Sequence, residues 1–247
     1  MKTLCLFIIF LSAIVTLILH ELGHLFMAKL ICLPIDRFQI GMGKPVFSHK
    51  GKDTTYSFSP ILLGGFVEYE PENIRKLPYF RHMAFLVIGG LMNIAFAYVL
   101  AVTGLFISGK HDILSSVYEG WHYIDQMTII IFDSIVRIFT EGIDLSGYNG
   151  VFGSLNDVGD SIAGSGLSVI RQISAALLIS SYFSFAIGLG NLLPIPSLDG
   201  GQVLTETIAR IGHKFGYDLR KGIQKVNNTV FLLIMILSVL MFLPDIF

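Results

Sequence analysis

Two histidines four positions apart with a glutamate beside the first, His20-Glu21-Leu22-Gly23-His24, form an H-E-x-x-H pattern near the start of this chain. On an α-helix that spacing puts both imidazoles on one face about one turn apart, within reach of a single tetrahedral zinc, and leaves the glutamate able to meet a water at the metal. The chemistry permitted is metal-assisted hydrolysis, with the carboxylate taking and returning a proton. The pattern falls within an apolar run of membrane length. Three ionisable side chains in five positions of such a run are costly, and a bound cation is the simplest partner that offsets the cost. The plain alternative is a helix end at the interface with satisfied histidines, which leaves the glutamate without a role.

A catalytic zinc takes three protein ligands and keeps one position open. The best acidic candidate for the third is Asp199, followed by Gly200 and Gly201 and preceded by Pro194 and Pro196, where an apolar segment breaks. Proline and glycine release the backbone from helix and let a carboxylate turn inward. A D-G-G triplet is also commonly just a turn, and the triplet alone leaves both readings open.

The elements that must position these residues belong to a membrane protein. With 53% hydrophobic and 14% charged residues and a mean hydropathy of +0.70, the chain departs from the roughly 45–50% apolar, ~25% charged norm of soluble domains. A net charge of -1 gives no bias toward nucleic acid or an acidic substrate. Four segments are apolar and long enough to span, about 4–30, 83–108, 172–195 and 229–243. The first is read as a retained span, because no small-residue cleavage site follows it and its apolar character continues past His24. Cys5 and Cys32 fall at opposite ends of that helix, ~40 Å apart, so no disulfide joins them.

Charge orients the bundle. Arg37, Lys44, Lys50, Lys52, Arg75, Lys76 and Arg81 lie between the first two spans, and Arg210, Lys214, Arg220, Lys221 and Lys225 follow the third. Gly109 to Gly166 holds only Lys110 and Arg137 against eight acids. The positive-inside bias then puts the first and third loops in the cytoplasm, both termini outside, and the H-E-x-x-H end of the first span on the same side as the Asp199 break. Within the outer stretch, about 121–141 reads as an interfacial amphipathic helix with Asp133 and Arg137 paired one turn apart and Trp121 and Tyr123 in the aromatic belt. Gly142 to Gly166 reads as loop. Between the first two spans, about 44–69 reads as one or two short β-hairpins beside the active cavity, with Gly64-Gly65 as a turn or bulge signal. Arg210 to Lys225 reads as an amphipathic helix on the anionic leaflet or a solvated face. His49, His82, His111, His122 and His213 have no partner at metal-ligand spacing and read as surface or interface residues.

His20-Glu21-Leu22-Gly23-His24 in the first span, paired with Asn191, Pro194 and Leu198-Asp199-Gly200 after the third, resembles the site-two protease family of intramembrane metalloproteases, most nearly its bacterial four-span branch. The resemblance covers most of the chain. It implies one zinc per chain held by His20, His24 and Asp199, Glu21 as the base, and Asn191 in substrate binding or oxyanion stabilisation. Gly64-Gly65-Phe66-Val67 is similar to the family's membrane-associated edge strand, which would hold an unwound substrate by strand addition. Gly89-Gly90-Leu91-Met92-Asn93 resembles the family's G-P-x-x-N with Gly90 in place of the proline, and close packing through small residues explains those glycines equally well. Many relatives carry PDZ domains between the second and third spans; the ~60 residues here are too few for one.

The expected protein is thus an all-α polytopic metalloprotease, residues 1–247 forming one membrane-embedded domain with a small β-hairpin element in the first cytoplasmic loop and an interfacial helix in the outer loop. Its expected substrates are single-span membrane proteins or signal-peptide remnants, its setting the bacterial inner membrane with the active site toward the cytoplasm, and it has no nucleic-acid partner. A metal-ion transporter using the same His/Glu cluster is the main rival; it calls for more spans and for repeats that the chain does not display. A catalytically silent scaffold has no need of an intact base.

Overall fold

The first helix, α1 (Lys2–Leu30), is an almost uninterrupted apolar run and continues to Leu30 with His20, Glu21 and His24 inside it. It ends in a Schellman arrangement: Cys32 adopts φ 56°, its N–H donates to Lys29 O at 3.3 Å, and Leu33 N–H donates to Ala28 O at 2.8 Å. Pro34 follows and prevents continuation. The chain then forms β1 (Arg37–Met42), β2 (Phe47–Lys50), β3 (Thr55–Phe58), β4 (Ile61–Glu68), α2 (Pro71–Arg75), α3 (Tyr79–Ile107), α4 (Ile113–Thr140), α5 (Gly150–Gly164), α6 (Val169–Leu192), α7 (Asp199–Lys214), α8 (Arg220–Met241) and a final 3-10 turn, Leu243–Asp245. This computed structural model describes residues 1–109, 112–142 and 148–245; His111 lies outside them.

The protein is mostly helical, and four of its helices, α1, α3, α6 and α8 with its final turn, are long and apolar enough to cross a membrane. The last of these begins at Arg220, well before the expected residue 229, because the polar turns 220–228 are already helical. The helix expected at about 121–141 is α4, which starts earlier, where Asp112 accepts a hydrogen bond from Ser115 N–H at 2.7 Å and caps it. Its Asp133 and Arg137 pair at 2.8 Å as expected.

Chain contacts divide the molecule into two compact units. One comprises Met1–Ser12, Phe96–Ala186 and Thr229–Phe247. Here Cys5, Ile9, Ile162 and Ala176 form a buried cluster, and Ser174 and Ser181 donate to the carbonyls of Gly104 and Ala97 at 2.7 Å, fastening α6 to α3. Of the stretch 142–166 read as loop, 143–147 lie outside the described residues and 150–164 is in fact helix α5. Its Gly, Ser and Asn content is offset by a distant cap: the Asp245 carboxylate accepts from the N–H groups of Val151 (2.8 Å), Phe152 (3.0 Å) and Gly153 (3.1 Å).

The other unit comprises Ala13–Ala95 and Ile187–Asn228 and carries the sheet. The sheet is larger than the hairpin element expected over 44–69. Its order is β2-β3-β1-β4; β2 and β3 form an antiparallel hairpin, β1 runs parallel to β3, and β4 pairs antiparallel with β1 rather than with β3. Central β1 contains a buried glutamine, Gln39, whose amide donates to Gly41 O, Gly43 O and Ser59 Oγ at 3.1–3.2 Å. One face of the sheet closes over Leu25, Ala28, Phe38, Ile74, Phe85 and Leu86, so the sheet, α2 and the chemistry-bearing end of α1 share one core. The basic tract 210–225 is not one helix: α7 stops at Lys214, Gly216 takes φ 82°, and α8 begins at Arg220. His82, expected as a surface or interface residue, is 6% exposed, with Arg210 Nη2 at 3.2 Å and Glu206 Oε1 at 3.7 Å from its Nδ1.

Candidate metal centre

All the residues that follow belong to the second unit. On α1 the four-residue spacing brings His20 Nε2 and His24 Nε2 to 3.3 Å. The third member arrives from α7. After α6 ends at Leu192, residues 193–198 make an irregular turn with Ser197 at φ 84°, and helix resumes at Asp199 itself. Gly200 and Gly201 are therefore the first turn of a helix rather than a free turn. They are buried, and a Cβ on either would collide with the carbonyls of Leu192 and Ile195 respectively, so only glycine lets α7 start this close to the preceding backbone.

Asp199 Oδ2 lies 3.3 Å from His20 Nε2 and 3.4 Å from His24 Nε2. The three atoms thus form a nearly equilateral triangle. A tetrahedron with metal–ligand bonds of ~2.0–2.1 Å has edges of about 3.3–3.4 Å, so the triangle has the dimensions of one face of a zinc coordination shell. Asp199 Oδ2 is buried and no donor is aligned on it. A buried carboxylate oxygen normally has a partner, and a cation at the centre of the three atoms is the partner that fits.

The surroundings fix the rings. His24 Nδ1 is 2.9 Å from the Phe85 carbonyl, which accepts its proton and leaves Nε2 bare toward Asp199. The Asn93 carboxamide nitrogen lies 3.3 Å from His20 Nδ1, a contact that holds the ring's orientation. Gly89, on α3, makes room for both imidazoles: a Cβ there would stand 2.7 Å from His20 Cε1 and Nε2 and would also meet His24. Gly90 serves packing, since its Cβ would be 2.9 Å from Gly188 O on α6.

Glu21 faces β4. A Cβ on Gly65 would lie 2.8 Å from Glu21 Cγ and 2.6 Å from Gln39 O, so the strand passes this close only with glycine. Gly64 and Glu21 border a small cleft otherwise walled by Ile14, Leu17, Ile18, Ile40 and Leu62. Phe66 is 39% exposed one position further along β4. Among the described residues β4 is an edge strand, paired with β1 alone. Asn191 sits in the last turn of α6, and among the described residues no hydrogen bond joins its side chain to the His/Asp cluster. The sequence reading missed the Phe85 carbonyl and Gln39. The first carries no side-chain signal, and the second resembles any polar loop residue until its three acceptors are seen.

The family model described as peptidase family M50 matches residues 6–238. Proteins named "putative zinc metalloprotease" are similar over shorter stretches. One from Fusobacterium nucleatum is 38% identical over 113 residues, 41% of this chain and 33% of its own; one from Clostridium acetobutylicum is 33% identical over 94 residues, 35% of this chain and 28% of its own. One from Neisseria meningitidis is 38% identical over 104 residues, 37% of this chain and 23% of its own. The match thus spans a third or less of these relatives' length.

Proposed function

The chain belongs to peptidase family M50, the site-two protease family, and from that premise we propose that it is a membrane-embedded zinc metalloprotease that hydrolyses peptide bonds in or near the spanning segments of other membrane proteins. The observation that carries the reading is the triangle of His20 Nε2, His24 Nε2 and Asp199 Oδ2 with 3.3–3.4 Å edges, its two histidines on a membrane-length helix and its aspartate at the start of α7. In it, His20, His24 and Asp199 hold the metal, with Phe85 and Asn93 keeping the imidazoles in register. Zinc, when bound, supplies a Lewis acid that polarises the scissile carbonyl and makes water a nucleophile near neutral pH. Glu21 takes the proton from the attacking water and delivers it to the leaving amine. The outer edge of β4 over Gly64, Gly65 and Phe66 holds the substrate as an added strand, since a helical substrate keeps its carbonyls in hydrogen bonds. Asn191 is assigned to substrate binding or oxyanion stabilisation by its place in the motif. The substrates are single-span proteins or signal-peptide remnants, reached from the cytoplasmic side of a bacterial inner membrane with both termini outside, as the distribution of basic residues supports.

The test joins metal content to turnover. Purified wild type is expected to carry one zinc per chain and to cleave members of a panel of single-span peptides, whereas Asp199→Ala loses both. Zinc uptake by proteoliposomes without cleavage of any peptide overturns the reading in favour of transport.

A further inference from the structure

A cavity of about 510 Å³ in the unit that carries the metal centre has no part in the chemistry described so far. It is joined to that chemistry by two elements. Just past the end of β4, Tyr69 lines it four residues beyond Gly65, the point where the strand meets Glu21, which is ~13 Å at strand rise. Along α7, Gln202 lines it one turn beyond Asp199. A peptide added to the outer edge of β4 at the catalytic glutamate is therefore led residue by residue into this space.

The lining suits a polypeptide. Gln202, Gln224 and Asn227 present carboxamides, each able to donate and accept as a peptide backbone requires. Asn227 Oδ1 is buried without a hydrogen-bond partner among the described residues, an acceptor that an incoming N–H would satisfy. The charge balance is positive. Of the acids in the lining, Glu206 is held by Arg210 at 2.8 Å and Arg220 at 3.1 Å, and Asp218 accepts from the Arg220 backbone N–H at 3.2 Å. Arg75 and Lys221 line the cavity, are exposed, and form no ion pair among the described residues. Glu70 and Glu72, on either side of Pro71 in sequence, are not among the lining residues.

We infer that this cavity is a substrate subsite that receives the extended polypeptide about four residues from the cleaved bond and favours an acidic side chain there, read by Arg75 and Lys221. This rests on the proteolytic reading above.

The test uses the full-length protein in proteoliposomes and otherwise identical single-span peptides bearing Asp, Ala or Lys at each position from six before to six after the cut. The Asp-to-Lys ratio of kcat/KM is expected to reach about five- to tenfold at one position some four residues from the cut, carried by KM, as two partly exposed charge pairs would give. In Arg75→Glu/Lys221→Glu that ratio inverts, and Lys221→Glu alone, in case the double variant fails to bind zinc, brings it near one. A ratio that is flat at every position in the wild type, or unchanged in the variants, removes the subsite while leaving proteolysis standing. Failure of the wild type to cleave any peptide removes proteolysis and the subsite with it.

Discussion

Gly89→Ala adds one methyl group, yet the structure places it against the metal centre. The new Cβ would stand 2.7 Å from His20 Cε1 and Nε2 and nearer still to His24 Nε2, where ordinary contact begins near 3.4 Å, so rings and helix must part by at least ~0.7 Å. Coordination bonds tolerate deviations of only about ±0.2 Å. The imidazoles therefore leave their shared focus, and zinc affinity is expected to fall about 10–100-fold, the usual consequence of disturbing groups that orient metal ligands, or ~1.4–2.8 kcal/mol. The sign is diagnostic, because alanine for glycine inside a helix otherwise stabilises by about 0.5–1 kcal/mol. The assay is competition for zinc against a chelator of known affinity, with Gly190→Ala as the control, since a Cβ at Gly190 meets nothing within 4 Å. Wild-type affinity in Gly89→Ala would refute the placement of both imidazoles around one metal.

Gly65→Ala puts a Cβ 2.6 Å from Gln39 O and 2.8 Å from Glu21 Cγ, so β4 must retreat from the base. Cleavage is expected to drop at least about tenfold with zinc content unchanged. Asp245→Ala strips the acceptor from three N–H groups at the start of α5; hydrogen exchange at residues 151–153 should accelerate about 2- to 30-fold, matching a cap of ~0.5–2 kcal/mol. Burial pushes the Glu206 carboxyl up, but Arg210 and Arg220 outweigh it and hold the group below its ordinary 4.5. A depressed carboxyl stabilises the fold fully above that value and ceases to as pH falls through the lowered one, so the wild-type melting temperature should fall more steeply on acidification below pH ~4.5 than that of Glu206→Gln.

How far the sequence reached depends on where each residue's partners come from. His20, Glu21 and His24 are legible because one helix of fixed period presents all three, and an apolar run around them marks the helix. Asp199 stood out through its prolines and glycines, but no periodicity carries it 3.3 Å from a histidine 179 positions earlier. Its place had to come from resemblance or from the structure. Strand β1 escaped notice because Arg37 and Gln39 look like loop residues; Gln39 is buried only because Ser59 and two glycine carbonyls satisfy it. Helix α5 escaped because its cap, Asp245, lies some 92 residues further on. His82 is buried by Arg210 and Glu206, which are equally remote in sequence. The Gly216-Tyr217-Asp218 turn that divides the basic tract, by contrast, is visible in composition.

The role of Glu21 is the centre of the proposed chemistry, and Glu21→Gln isolates it, because the amide keeps the shape of the carboxylate and touches none of the three metal-facing atoms. Zinc content and cleavage of a single-span substrate should be measured on the same reconstituted sample. One zinc per chain with cleavage slowed by about 10²–10⁴-fold is the expected result. A Glu21→Gln protein that retains its zinc and cuts the substrate at the wild-type rate would contradict it.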